Sequence, residues 1–142
     1  MTTEVACVGM ARFVVDCGVV LRLVSEQIEV APEHELLAPT LLRSQALSAL
    51  HRAVHAGDLA SEVAREQLGK IQALPIRLLG DAVLRRRAWE IADTLGWAET
   101  YDAEYIALTQ LQADAFVTLD AGLAQRVADV VEVATIDALR PR

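Results

Sequence analysis

Two short apolar runs in this chain end at an aspartate. Residues 116–120 read FVTLD, and residues 12–16 read RFVVD. Runs of this length, rich in β-branched and aromatic residues and bounded by polar ones, predict buried strands, and a helix-compatible segment follows each of them. In a parallel sheet, Asp16 and Asp120 would stand at the carboxyl ends of their strands, which is where open α/β folds bind their ligands.

The rest of the chain predicts more strands and helices in alternation. Strands are predicted at 75–79 and 131–136, and helices at 17–26, 40–57, 58–74, 81–96, 100–113 and 121–129. Asp58 and Asp81 each follow a glycine, so each is predicted to cap the helix that comes next. Alternating strands and helices favour right-handed crossovers and a mostly parallel sheet, so the predicted fold class is α/β.

The composition predicts a single domain, 1–142. The chain has 142 residues, of which 54% are apolar, enough for one hydrophobic core. No apolar run reaches the ~20 residues that span a bilayer, and the start of the chain lacks the features of a signal peptide. We therefore expect a cytoplasmic protein with no membrane partner, and residues 1–11 are predicted to be a flexible lead-in. Cys7 and Cys17 form no C-x-x-C pair and are interpreted as free thiols.

The charge balance restricts the ways in which nucleic acid can be bound. The net charge is −7, which repels nucleic acid at long range, so any such contact has to be local. Several of the twelve arginines lie in the middle of the chain: Arg43, Arg52, Arg65, Arg77, Arg85, Arg86 and Arg87. The last three are interpreted as a solvated helix face in preference to a phosphate or partner contact.

Three aspartates are candidates for one site. Asp16 and Asp120 follow strands, and Asp102 begins the helix at 100–113. Each one alone is explained by a helix N-cap. Together at one edge of a sheet, their carboxylates would raise one another's pKa values unless a cation neutralised them, and hard oxygen ligands call for Mg²⁺ or Mn²⁺. Such an ion can activate water for an in-line phosphoryl displacement.

Three stretches in this order resemble a known family. They are RFVVDCGVVLRLV (12–24), LLAPTLLRSQALSAL (36–50) and TYDAEYIALTQLQADAFVTLD (100–120). They look like the PIN-domain ribonucleases, specifically the VapC toxins of bacterial toxin–antitoxin pairs, and the resemblance covers residues 12–137. It implies a PIN-like three-layer α/β/α fold with a mostly parallel sheet of about four to five strands.

The resemblance also implies roles for individual residues. Asp16, Asp102 and Asp120 match the metal-binding acids, and Thr118 matches the hydroxyl residue that supports the site. Gln45 departs from the pattern, since the family usually carries a glutamate there. Glutamine is nearly isosteric with glutamate and keeps a carbonyl oxygen, but it cannot supply a negative charge.

Two functions follow for this chain. The first is a metal-dependent endoribonuclease toxin that cleaves structured RNA, such as a tRNA or rRNA loop, with Asp16, Gln45, Asp102, Thr118 and Asp120 at its catalytic site. The second is a catalytically impaired PIN module that dimerises and binds an antitoxin. By the resemblance, both would pair with a VapB-like antitoxin and form a homodimer. A phosphatase or receiver domain is disfavoured because DCG is not a D-x-D nucleophile pattern.

Other candidate sites have simpler explanations. His51 and His55 have a spacing that can share a zinc ion, but no third ligand is evident, so a solvent- or partner-facing pair is favoured. Cys17 next to Asp16 is disfavoured as a ligand because thiolate and carboxylate suit different metals. Trp89 and Trp97 are predicted to be buried or half-buried on helices, in the core or an interface.

Overall fold

Helices and a five-stranded sheet alternate along residues 11–142, which are the part of the chain described by the computed structural model. The strands are β1 (Arg12–Val15), β2 (Glu35–Pro39), β3 (Ile76–Leu79), β4 (Ala115–Val117) and β5 (Val133–Ala134). The helices are α1 (Cys17–Ser25), α2 (Leu41–His55), α3 (Ser61–Ala73), α4 (Ala82–Leu95), α5 (Tyr101–Gln112) and α6 (Ala121–Val127). The strand order is β3-β2-β1-β4-β5, and every neighbouring pair is parallel. The predicted α/β class is confirmed.

The two apolar runs lie side by side at the centre of the sheet. Val14 pairs with Phe116 and Val15 with Val117, and all four side chains are fully buried. Strands covered on both faces have to be apolar at successive positions, which explains why these runs do not alternate. Because the two strands are parallel and in this register, Asp16 and Thr118 emerge next to each other at the same edge.

Helix α5 packs across the middle strands and carries much of the core. It contacts β1, β2, β4 and the neighbouring helix α4. Six consecutive or near-consecutive residues of α5 are buried: Ala103, Tyr105, Ile106, Ala107, Leu108 and Thr109. A helix that is apolar on most of its circumference belongs between other elements, so α5 is a fixed support for the residues at its start.

Some details of the sequence prediction were wrong. Strand β2 was missed, because its apolar core is only three residues long and Pro39 suggested the approach of a helix; proline is tolerated because it is the last residue of the strand. Asp58 is not a cap, since α3 begins at Ser61 without a side-chain cap bond. Asp81 is one, and it accepts a hydrogen bond of 2.9 Å from the backbone N–H of Leu84.

The N-terminal predictions fall mostly outside the described residues. Cys7 and ten of the eleven residues of the predicted lead-in lie there, whereas Ala11 is placed and its carbonyl accepts a 2.9 Å hydrogen bond from Glu35 N–H. Cys17 is a free cysteine. Within residues 11–142, none of the helices has the length and apolar character that crossing a membrane requires.

Candidate active site

A threonine hydroxyl joins the ends of the two central strands. Thr118 Oγ1 donates a 2.5 Å hydrogen bond to Asp16 Oδ2 and accepts one of 3.1 Å from the backbone N–H of Asp120. The backbone N–H of Asp16 in turn donates to the carbonyl of Val117 at 3.4 Å. The hydroxyl of Thr118 therefore fixes Asp16 relative to the loop that carries Asp120.

Both strand-end aspartates are also helix caps. Asp16 Oδ1 accepts a 3.0 Å hydrogen bond from the N–H of Val19 in α1, and Asp120 Oδ1 accepts one of 3.0 Å from the N–H of Leu123 in α6. Each cap uses one carboxylate oxygen and leaves the other for a second partner. The cap and the site are therefore compatible explanations for the same residue.

Burial and mutual repulsion act on the pKa values of the acids. Burial raises the pKa of Asp16, the charges of Asp102 and Asp120 raise it further, and the bonds from Thr118 and Val19 lower it in part. Burial also raises the pKa of Asp102, where the charge of Arg126 acts in the opposite direction and that of Asp120 in the same one. The three carboxylates are thus close enough to repel each other, and a cation among them would be favoured.

The donors fit a hard divalent cation in kind but are not pre-assembled around one. Carboxylate oxygens are what Mg²⁺ and Mn²⁺ prefer. Across residues 11–142, however, no three His, Cys, Asp or Glu side chains are placed so that they could hold a metal ion together. Asp16, Asp102 and Asp120 would have to move towards one another to share an ion.

Gln45 is held by a buried tyrosine. Its Oε1 accepts a 2.5 Å hydrogen bond from the hydroxyl of Tyr105, although the two residues are 60 positions apart in the sequence. Burial raises the pKa of Tyr105, so its hydroxyl stays protonated and acts as a donor. A buried hydroxyl needs such a partner, and a glutamate at position 45 could accept the same bond.

Two adjoining clefts open beside these residues, and we call them together the trough. The larger, of about 650 Å³, is lined by Gln45, Gly96, Trp97, Ala98, Glu99, Tyr101, Asp102 and Arg126. The smaller, of about 400 Å³, is lined by Cys17, Leu41, Ser44, Gln45, Ser48, Ala49, Arg52 and Tyr101. Gln45 and Tyr101 belong to both, so the trough is continuous across them.

Local geometry shapes the wall of the larger cleft. Gly96 ends α4 in the left-handed conformation, with φ 72°, and the N–H of Trp97 then bonds back to the carbonyl of Ala92 at 2.8 Å. Such an ending favours glycine, because other residues adopt a positive φ at a cost. It turns the chain so that Trp97 lies partly buried against the core at the cleft.

Comparison with known proteins bears on the fold. No family model matches the chain, and neither does any curated protein. The solved structure of PAE2754 from Pyrobaculum aerophilum matches over 91% of this chain and 92% of that one, with a TM-score of 0.68 and 20% identity. VapBC-1 from nontypeable Haemophilus influenzae matches over 89% and 98%, with a TM-score of 0.60 and 14% identity. VapBC2 from Rickettsia felis, bound to a DNA fragment from its promoter, matches over 87% and 98%, with a TM-score of 0.61 and 8% identity.

The chain has a PIN-like fold. This confirms the three-layer architecture that the sequence resemblance implied, with five parallel strands. Because the matched chains are at most 20% identical, the likeness concerns the fold, and the activity has to be argued from the site.

The PIN-like fold gathers the predicted site residues at one edge of its sheet. Thr118 is bonded to both Asp16 and Asp120, while Asp102 and Gln45 line the same cleft. Roles in metal binding and catalysis remain predictions for all five. Cys17 is a poor ligand here, because burial and the neighbouring Asp16 raise its pKa to about 11.

Sequence reasoning missed two residues of the trough, Tyr101 and Arg126. Arg126 comes from α6, where a Cβ at Gly122 would lie 3.4 Å from both Arg126 Nη1 and Asp120 Oδ1. The guanidinium and the carboxylate are thus neighbours across a glycine. The glycine four positions before the arginine on one helix face was a signal in the sequence, but only the packing of α6 against α5 relates Arg126 to Asp102.

Asp16 is expected to lower the stability of the fold at neutral pH. Its pKa in the folded chain is raised above the ordinary value of 3.8, so its stabilising contribution is complete below that value and is lost as the pH rises through the folded pKa. Asp16→Asn keeps a good N-cap and should raise the melting temperature at neutral pH in metal-free buffer, with the gain fading on acidification. Asp81→Asn alters a cap outside the acid cluster and is the matched control. A lower melting temperature for Asp16→Asn at neutral pH would contradict this expectation.

Proposed function

We propose that this chain is a metal-dependent endoribonuclease toxin of a toxin–antitoxin pair, acting in the cytoplasm. The observation that carries the proposal is the Thr118 hydroxyl bonded to both Asp16 and Asp120, at a sheet edge where Asp102 raises the pKa of Asp16. The shared fold with VapBC structures adds support. Packed carboxylates at the carboxyl ends of parallel strands suit a cation-assisted reaction on a phosphodiester.

In this proposal the three aspartates hold Mg²⁺ or Mn²⁺, and the other residues position them. When bound, the ion supplies a water of lowered pKa and stabilises the charge of the phosphodiester. Thr118 keeps the carboxylate of Asp16 turned towards the ion, and Tyr105 keeps the amide of Gln45 at the trough. Hydrolysis breaks the bond from phosphorus to the 3′ oxygen, which takes up a proton, so the products carry a 5′-phosphate and a 3′-hydroxyl.

The substrate proposed from the family resemblance is structured RNA, such as a tRNA or rRNA loop. The chain's net charge of −7 disfavours binding along a long duplex, whose contacts depend on many cations, and favours a short exposed segment. The same resemblance points to a VapB-like antitoxin that fills the trough with an extended or helical tail, and arginines of the trough would bind its acidic groups. Growth arrest on induction, relieved by the neighbouring open reading frame, would test the pairing.

Binding of the ion should be visible as stabilisation. A ligand that binds only the folded chain stabilises it by mass action, by about 2.7 kcal/mol at a hundredfold excess over its Kd. Mn²⁺ should therefore raise the melting temperature, and Asp120→Asn should remove most of that rise. Asp137→Asn, in the exposed C-terminal turn, serves as the charge-matched control and should keep the full rise. An unchanged melting temperature at millimolar Mn²⁺ would count against the metal site.

A catalytically impaired PIN module is the second candidate. The observation that favours it is Gln45, whose carbonyl oxygen is already engaged by the hydroxyl of Tyr105 and which carries no charge. Such a module would keep the fold, the dimer and the antitoxin but would not cleave RNA.

We also propose that the chain forms a homodimer through a surface that includes α4. Trp89 on this helix is 67% exposed, contrary to the burial predicted from the sequence, and Val83 is exposed as well. Large apolar side chains in contact with water favour an interface. Light scattering should show a dimer, and Trp89→Arg should shift it to a monomer, while Val63→Arg on α3 should not. A monomeric parent protein at high micromolar concentration would contradict the proposal.

A further inference from the structure

An exposed aromatic side chain stands where the two clefts of the trough meet. Tyr101 is the first residue of α5, directly precedes Asp102, and lines both clefts. Its exposed fraction is 53%, which is high for a tyrosine that is next to a buried core helix. Core packing does not account for a ring placed in this way, whereas an aromatic face open to solvent is a stacking surface for a nucleobase.

An arginine lies on each side of Tyr101. Arg126 lines the larger cleft and Arg52 the smaller one, and both side chains are exposed. Among residues 11–142, five other arginines form ion pairs with carboxylates, but these two do not. Arg52 makes a long hydrogen bond of 3.5 Å to Ser48 Oγ, which leaves most of its donors available.

Charge makes this arrangement informative. The chain as a whole is acidic, and the acids of the site repel a phosphodiester, so a nucleic acid needs local cations to approach them. Two guanidinium groups that flank an aromatic ring match the repeat of a single strand, in which a base lies between two phosphates.

We propose that Tyr101 stacks with one unpaired nucleobase of single-stranded RNA and that Arg52 and Arg126 bind the phosphates on its two sides. This deepens the proposed function and rests on it, since it places the strand across the aspartates. A base within a duplex is already stacked on its neighbours, so the strand has to be unpaired where it meets Tyr101. Selection of a loop over a stem would then begin at this residue.

Binding can be separated from cleavage by measuring it without divalent ions. In EDTA, the fluorescence anisotropy of a short labelled single-stranded RNA should show that Tyr101→Ala weakens binding about five- to a hundredfold, the range for loss of one stacked base. Tyr101→Phe should keep the affinity of the parent protein, because the ring is retained. With an RNA that lacks bases at internal positions, parent and Tyr101→Ala proteins should bind alike.

The arginines have their own readout in the salt dependence. Arg52→Gln and Arg126→Gln should each lower the slope of log affinity against log salt by about 0.7, the contribution of one single-strand phosphate contact. Arg65→Gln, on α3 and outside the trough, is the charge-matched control and should leave the slope unchanged.

Two results would overturn the inference. One is equal RNA affinity of the parent and Tyr101→Ala proteins, and the other is an equal loss of affinity for the RNA with and without bases, which would indicate a damaged fold. If Tyr101→Ala keeps its RNA affinity but no longer binds the antitoxin, the trough is a protein-docking surface and the inference is wrong. Should RNA be cleaved with Mn²⁺ although Tyr101→Ala binds normally, the nuclease proposal survives and the stacking role does not.

Discussion

Gln45→Glu is expected to raise Mg²⁺- or Mn²⁺-dependent RNA cleavage about ten- to a hundredfold. A negative charge this close to a divalent ion is worth on the order of 1–3 kcal/mol, and carboxylate is a stronger ligand for a hard cation than an amide. The substitution needs no new space, since glutamate is nearly isosteric and can accept the bond from Tyr105. Cleavage of a labelled RNA, followed over time at fixed metal concentration, measures the gain.

Matched variants identify the source of the gain. Asp102→Asn in the Gln45→Glu background should abolish the cleavage and the toxicity to the host, because it removes one of the three original acids. Gln67→Glu adds the same charge on α3, outside the trough, and should change nothing. If Gln45→Glu protein cleaves no better than the parent, position 45 is not part of a metal site, and its assignment from the family resemblance is wrong.

Phe116→Ala is expected to lower the free energy of unfolding by about 3–5 kcal/mol, as for other large core aromatics. Phe116 is fully buried in β4, pairs with Val14 and Val133 in the neighbouring strands, and packs against the ring of Tyr105 with 6.2 Å between centroids. A cavity here cannot collapse easily, because both faces of the central strands are covered. Urea denaturation measures the loss.

Phe116→Leu is the control for side-chain size. It keeps most of the apolar volume and should lose much less stability than the alanine variant. Since Tyr105 also holds Gln45, the alanine variant should in addition loosen the trough below its unfolding temperature. A loss of less than about 1 kcal/mol for Phe116→Ala would show that β4 is not the packed centre of the sheet.

The strand-end part of the site could be predicted from the sequence because its causes are local. An apolar run fixes where a buried strand lies, and the polar residue that ends it emerges at the edge of the sheet, as Asp16, Thr118 and Asp120 do. Their cap bonds reach only three residues along the chain. Parallel pairing then needs no more than the alternation of strands and helices.

The rest of the site depends on contacts between distant segments. The bond from Tyr105 to Gln45 joins residues 60 positions apart, and the approach of Arg126 to Asp102 depends on how α6 lies against α5. Neither has a signature in periodicity or spacing. The exposure of Trp89 was mispredicted for a similar reason, since a helix pattern shows which face is apolar but not how far the neighbouring elements cover it.

The central claim is that Asp16, Asp102 and Asp120 hold a divalent cation. Anomalous diffraction from crystals of the Gln45→Glu protein soaked in Mn²⁺ tests it most directly, because it locates the ion without reference to activity. We expect one peak at the sheet edge, with carboxylate oxygens of the three aspartates within about 2.0–2.6 Å of it or linked to it through water. An ordered structure with no peak among these residues, or with Mn²⁺ bound only elsewhere, would contradict the account.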